Sequence, residues 1–138
     1  MFDLVNVKIL NTAIERVLNV EMSELGLTFT QTSIINFLSK NEEKEICQRD
    51  IEVSLGLTHP TVSSILKRLE SKKMILTMHS DKDRRFKRIV LTEKSRAVNE
   101  AIQRKARKIT AQALKGITKE EEQQLCEIME RMTGNLRQ

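Results

Sequence analysis

Apolar positions along this chain fall into stripes separated by short polar breaks. Between residues 4 and 22, Val5, Ile9, Ala13 and Val17 recur every fourth residue, with Leu10, Ile14 and Leu18 beside them. That spacing predicts a helix with an apolar face broad enough to be buried along most of one side. Gly26 closes the connection that follows. Thr28 with Gln31 forms a capping-box pattern ahead of Ile34, Ile35, Phe37 and Leu38, and so opens a second helix. Residues 41–45 read as a short acidic loop. Residues 48–55 read as a brief helix with Ile51 and Leu55 one turn apart on its buried side. Gly56 stands where a left-handed helix terminus belongs, Thr58 where an N-cap belongs, and Pro60 in the first turn of the next helix, where a missing N–H costs little. That helix is expected to run to about Ser71. Two short helices around a tight glycine turn make a helix-turn-helix candidate.

The period then changes. Residues 74–79 form a strand-like run, 80–85 a polar tip, and 86–91 alternate Phe86, Arg88 and Val90 against Lys87, Ile89 and Leu91. A β-hairpin placed directly after a helix-turn-helix is a wing. A long helix is expected from Thr92, with Val98, Ala101, Ile102, Ile109, Ala113 and Ile117 among its apolar positions and Gly116 near its end. Thr118 with Glu121 is a second capping box, and Leu125, Ile128, Met129, Met132 and Leu136 follow at helical spacing. The pattern predicts a mainly α (α+β) fold: a winged helix-turn-helix lobe over residues 28–91, flanked by helices 1–22 and 92–138 that form a dimerisation region within a single domain, 1–138.

Composition sharpens this picture. With 138 residues, 39% apolar and 31% charged, the chain suits one globular domain. Four Phe, no Trp and no Tyr leave the core to aliphatic side chains. The net charge of +5 is concentrated. Residues 58–90 carry nine basic and three acidic side chains, a net of +6, so the remainder is slightly negative. Such a segment points to a polyanionic partner. No apolar run is long enough to cross a bilayer, and the first residues lack the basic, small-residue pattern of a signal peptide. A soluble cytoplasmic protein with no membrane partner is the expectation.

The helix after Thr58 carries Val62, Ile65, Leu66 and Leu69 on its core face. Thr58 and His59 lie at its start, and Thr61, Ser63, Ser64, Lys67 and Arg68 on the opposite face. Short hydroxylated side chains let a helix approach base edges in the major groove, and basic residues a turn later suit phosphates. Taken alone, the same face suits a solvated helix equally well. The hairpin tip favours double-stranded DNA: Lys82, Arg84, Arg85 and Lys87 crowd a short turn around Asp81 and Asp83. Like charges in a tight turn repel, and an arginine there can enter a minor groove, where the potential is most negative. Asp83 is expected to orient an arginine rather than meet DNA. A solubilising turn is the plainer alternative.

The runs LGLTHPTVSSILKRLESKKMI and HSDKDRRFKRIVLTEKS resemble the multiple antibiotic resistance regulator (MarR) family. The match lies in the TVSxxLxRLE helix, the DxDRR wing and the LTEK that opens the next helix. The resemblance implies a homodimer built by the terminal helices, binding a pseudo-palindromic operator, often as a repressor. It also implies a response to small anionic or phenolic effectors, or to oxidants. On it, Asp83 and Arg85 take the wing's Asp-x-Arg positions, and Thr61, Ser63, Ser64 and Arg68 fall on the recognition helix. Two departures are visible: Lys73 stands where the family usually has Gly after that helix, and Ser95 where Gly follows LTEK.

No cofactor or metal is expected. Cys47 and Cys126 lie far apart, with no zinc-type spacing, and His59 and His79 read as DNA-facing or wing residues rather than ligands. Acidic Glu43, Glu45 and Asp50 around Cys47, partly offset by Lys44 and Arg49, disfavour a reactive thiolate there, and Cys126 reads as a small core residue. An effector pocket, if the chain has one, belongs between the dimer helices and the DNA lobe, where Phe29 and Phe37 serve either its wall or the core. No nucleophile–base pair, paired buried carboxylates or phosphate-cradling glycine loop suggests an enzyme. A winged helix used for protein contact explains the fold but not the basic tip and hydroxyl-lined helix together.

Overall fold

The computed structural model describes residues 1–137. In chain order the elements are α1 (Leu4–Ser23), α2 (Phe29–Lys40), α3 (Gln48–Leu55), α4 (His59–Ser71), β1 (Ile75–His79), β2 (Lys87–Leu91), α5 (Glu93–Ala113) and α6 (Lys119–Leu136). The chain divides into two compact units, Met1–Ala106 and the stretch from Arg107 onward. A mainly helical winged helix-turn-helix, as read from the sequence, is the observed architecture.

Helix starts follow local chemistry. Thr28 Oγ1 accepts from the Gln31 N–H at 3.1 Å, while the Gln31 side chain accepts from the Thr28 N–H at 3.2 Å. The same reciprocal pair, Thr118 with Glu121, opens α6. Each box satisfies two backbone donors that no helical carbonyl can reach. Gly56, at φ +65°, ends α3 in the left-handed region and lets the chain turn sharply into α4.

The core of the first unit is aliphatic, as the scarcity of aromatics requires. Leu18 and Met22 of α1, Ile34, Ile35 and Leu38 of α2, Ile51 of α3, and Val62, Leu66 and Leu69 of α4 are buried with Ile75, Ile89 and Leu91 of the hairpin and Ile102 of α5. The hairpin is antiparallel, pairing Ile75 with Leu91 and His79 with Lys87. Its strands are shorter than the alternation suggested. Met74 and Phe86 fall outside them, and Phe86 is exposed. The Ile46 carbonyl accepts from the Ile89 N–H at 2.8 Å, so the α2–α3 connection extends the ladder on the far side of β2. Polar bridges fasten α5 to α2: Asn99 donates to Ser39 at 3.0 Å and Gln103 to Asn36 at 2.7 Å. Arg96 meets Glu42 at 2.9 Å.

Much of the apolar stripe of α1 faces water. Val5, Ile9, Leu10 and Val17 are all exposed, and burial begins only at Leu18, with Ile14 half-buried. In the second unit, Leu125, Ile128, Met129 and Leu136 of α6 are likewise exposed. Cys126 is exposed too, not a core residue as the sequence suggested, because this face of α6 is uncovered.

The two departures from the family pattern have different local outcomes. Ser95 is fully buried, and its hydroxyl donates to the Thr92 carbonyl at 2.8 Å, so the extra polar atom is satisfied. Lys73 takes φ +59° at the end of α4. Its N–H bonds the Glu70 carbonyl, and the Met74 N–H bonds the Leu69 carbonyl, both at 2.9 Å. This is the Schellman termination, which favours glycine at the left-handed position. A side chain there costs roughly 1–2 kcal/mol, less the greater freedom glycine has in the unfolded chain. Lys73→Gly is therefore expected to stabilise by about 0.5–1 kcal/mol, a rise of a few degrees in Tm, and β-branched Lys73→Val to destabilise. Thermal unfolding of both variants checks this, and equal melting of wild type and Lys73→Gly would contradict it.

Candidate nucleic-acid interface

α4 presents one face to the core and one to solvent. Thr58 Oγ1 accepts from the Thr61 N–H at 3.4 Å and donates to Thr61 Oγ1 at 2.9 Å. Pro60 sits in the first turn, where its missing N–H leaves no bond unmade. With Val62, Leu66 and Leu69 buried, Thr58, His59, Thr61, Ser64, Lys67 and Arg68 are exposed. Ser63, placed on the open face from sequence, is half-buried along with Ile65. The open face is thus narrower than the sequence implied, and the Thr61 hydroxyl is already engaged by the cap.

His59 is held by α3. Its Nδ1 lies 2.7 Å from Glu52 Oε2, and the Gln48 side-chain amide lies 3.3 Å from the His59 carbonyl oxygen. Neither partner was singled out in the sequence, because an α3 residue facing α4 carries no motif of its own.

The hairpin tip is ordered by two carboxylates. Glu45, in the loop before α3, accepts from the Ser80 hydroxyl and from the Asp81 N–H at 2.9 Å. Ser80 Oγ in turn accepts from the N–H groups of Lys82 and Asp83, at 3.1 and 3.3 Å. Those bonds, with Arg88 and Lys82 nearby, hold the Glu45 carboxyl below its ordinary range, the Ser80 hydroxyl contributing most. At the tip, Asp83 grips Arg85 with both oxygens: Nη2 to Oδ2 at 2.8 Å and Nε to Oδ1 at 3.1 Å. The Arg85 N–H also donates to Oδ1 at 3.1 Å. The paired arginine lowers the Asp83 carboxyl and is itself raised. The fork fixes the guanidinium while leaving the Arg85 side chain 86% exposed. Lys82, Arg84 and Lys87 are exposed around it. His79 Nδ1 lies 3.0 Å from the Arg84 carbonyl, which makes it a wing residue.

Other sequence-level candidates are dispersed. The Cys47 thiol lies 3.3 Å from Asp50 Oδ2, whose carboxylate also accepts from the Cys47 N–H at 2.9 Å. Among the described residues no three His, Cys, Asp or Glu side chains are grouped to hold a metal ion, and no helix is long and apolar enough to cross a membrane. Phe29 is half-buried and lines a cavity of about 80 Å³ with Met22, Asn36, Ile102 and Gln103; Phe37, also half-buried, does not line it. Drug-sized ligands need cavities of roughly 300 Å³ or more.

Comparison with known proteins agrees with this architecture. The MarR family model matches residues 25–85. The crystal structure of the transcription regulator MarR from Oenococcus oeni is 32% identical, superposes with a TM-score of 0.82, and matches 96% of this chain and 99% of its own. A Listeria monocytogenes protein described as a MarR-family transcriptional regulator, crystallised with a 26-mer DNA, is 26% identical with a TM-score of 0.88, over 99% of this chain and 90% of its own. The uncharacterised HTH-type transcriptional regulator YybA of Bacillus subtilis is 24% identical over 124 residues, 90% of this chain and 81% of its length. With its helix-turn-helix, its Asp-x-Arg wing and the Oenococcus oeni relative 32% identical over nearly the whole chain, the protein belongs to the MarR family of transcriptional regulators.

Proposed function

We propose that this regulator binds a pseudo-palindromic operator as a homodimer and acts as a repressor, with α4 in the major groove and the hairpin tip in the minor groove. The observation that carries this reading is the Asp83–Arg85 fork: a carboxylate spent on aiming an otherwise exposed guanidinium outward from a basic turn. A bidentate, oriented arginine loses less freedom on meeting an anion than a free one. Arg84, Lys82 and Lys87 add phosphate contacts, and Thr61, Ser64, Lys67 and Arg68 face the groove, with half-buried Ser63 at the edge of that face and Thr58 and His59 at the helix start. DNA in the Listeria relative's crystal supports the same reading.

The exposed apolar faces of α1 and α6 support dimerisation through the terminal helices. Contiguous side chains of this kind are rarely left to solvent in a monomer. The resemblance also suggests release by a small anionic or phenolic effector. The cavity at Phe29 is where such a ligand would act, and it must widen to admit one.

Three outcomes test the scheme. Truncation after Gly116 removes α6 and should yield monomer or aggregate in sedimentation; a well-folded dimer from that fragment contradicts the interface. Replacing Arg84 and Arg85 with Ala should flatten the slope of log K against log salt by roughly one to two units, since each neutralised phosphate contributes about −0.9. An unchanged slope excludes the wing from the contact. Binding selection on randomised DNA should separate the faces of α4: Ser64→Ala changes the recovered motif, whereas Arg68→Ala weakens all sequences alike, because phosphate contacts carry no base information.

A further inference from the structure

We infer that His59 reads a base edge through an unprotonated Nε2, and that Glu52 is the positioning residue that fixes this tautomer. The inference rests on the reading that α4 enters the major groove. It goes beyond that reading by naming the chemistry at one position.

A carboxylate can only accept, so Nδ1, at 2.7 Å from Glu52 Oε2, carries the hydrogen. The Gln48 amide lies 3.1 Å from the same nitrogen, but with its hydrogen directed at Glu52 that nitrogen has no lone pair to offer. The amide therefore donates to the His59 carbonyl oxygen at 3.3 Å and packs the ring in place. A neutral imidazole has one N–H, so Nε2 is left bare and acts as an acceptor. The backbone that carries Glu52 is tied at the turn. The Glu52 carbonyl accepts from the Gly56 N–H and from the Leu57 N–H at 3.1 Å, which fixes this residue at the helix-turn-helix corner. Burial divides the roles: the Glu52 side chain is 11% exposed and that of His59 is 72% exposed.

At the first residue of a recognition helix, a side chain faces base edges. In the major groove, a bare ring nitrogen matches the exocyclic amines of adenine N6 and cytosine N4. It is repelled by the acceptors of guanine and by thymine O4. With the opposite tautomer the same ring would be a donor and would match acceptors instead: guanine O6 and N7, thymine O4 and adenine N7. Glu52, which does not touch DNA, thus decides which class of base His59 accepts.

Two measurements on the full chain test this at about pH 8.5, well above the ordinary range of an imidazole. In long-range ¹H–¹⁵N spectra of the free protein, His59 should show a protonated Nδ1 and a bare Nε2. Glu52→Ala should shift it toward the Nε2–H form preferred by unconstrained histidine. The same spectra report whether each variant is folded. An Nε2–H ring in the wild type overturns the inference without involving DNA.

Binding selection on randomised DNA is the second arm. The wild type should show one position per half-site preferring adenine or cytosine by roughly five- to a hundredfold, the span of a good base contact. His59→Phe should flatten that position. Glu52→Ala should flatten it or turn it toward guanine or thymine, and Glu52→Gln, whose amide oxygen still accepts from Nδ1, should largely restore it. If His59→Phe recovers the wild-type motif, or weakens all sequences equally as a phosphate contact would, the inference falls. A motif altered by Ser64→Ala but not by His59 or Glu52 variants leaves the α4 reading standing and removes only this one. If no α4 variant alters the motif, the α4 reading itself fails.

Discussion

A two-stranded hairpin is marginal in water on its own, and everything this wing can present to a polyanion depends on how it is fastened. The fastening is the short connection between α2 and α3. Ile46 closes one more ladder bond onto β2, and Glu45 takes the Ser80 hydroxyl and the Asp81 N–H where the strand ends. Ile75, Ile89 and Leu91 complete the attachment from the buried side. The wing is thereby anchored to the same lobe that carries α4. α4 and the hairpin that follows it directly are thus parts of one lobe rather than a helix with a loose appendage.

Within that frame the charges are held in two ways. Two acidic groups are tied down: Glu45 by Ser80 and Asp81 where β1 ends, and Asp83 by Arg85 within the tip. Basic groups stand exposed, with Arg85 oriented and Lys82, Arg84 and Lys87 free to adapt. A turn so dense in cations would be strongly repulsive without the carboxylates, which offset it while adding little negative charge toward the solvent. Oriented and adaptable cations serve different ends: the first favours one geometry, the second tolerates many phosphate positions.

Much of this was legible in the sequence, for identifiable reasons. Helix boundaries followed from capping residues and left-handed glycines, whose effects are local, so Thr28, Gly56, Thr58 and Thr118 were read correctly. The Asp83–Arg85 pair was legible because its partners are two residues apart. What escaped was tertiary. Glu45 looked like one more acid in a loop, and nothing in the sequence marked Glu52 or Ile46. Each owes its role to a partner 7 to 43 residues away. Ser63 was misjudged as open because helical periodicity locates a face but not the height of its neighbours. Cys126 was assigned to a core that a single chain does not supply.

The uncovered apolar faces of α1 and α6 have a thermodynamic consequence. On the reading that a second copy covers them, folding and assembly share one equilibrium, and the stability of each chain includes a concentration term. On the same reading, operator DNA that brings two chains together would stabilise the fold of each as well as occupy its binding surface.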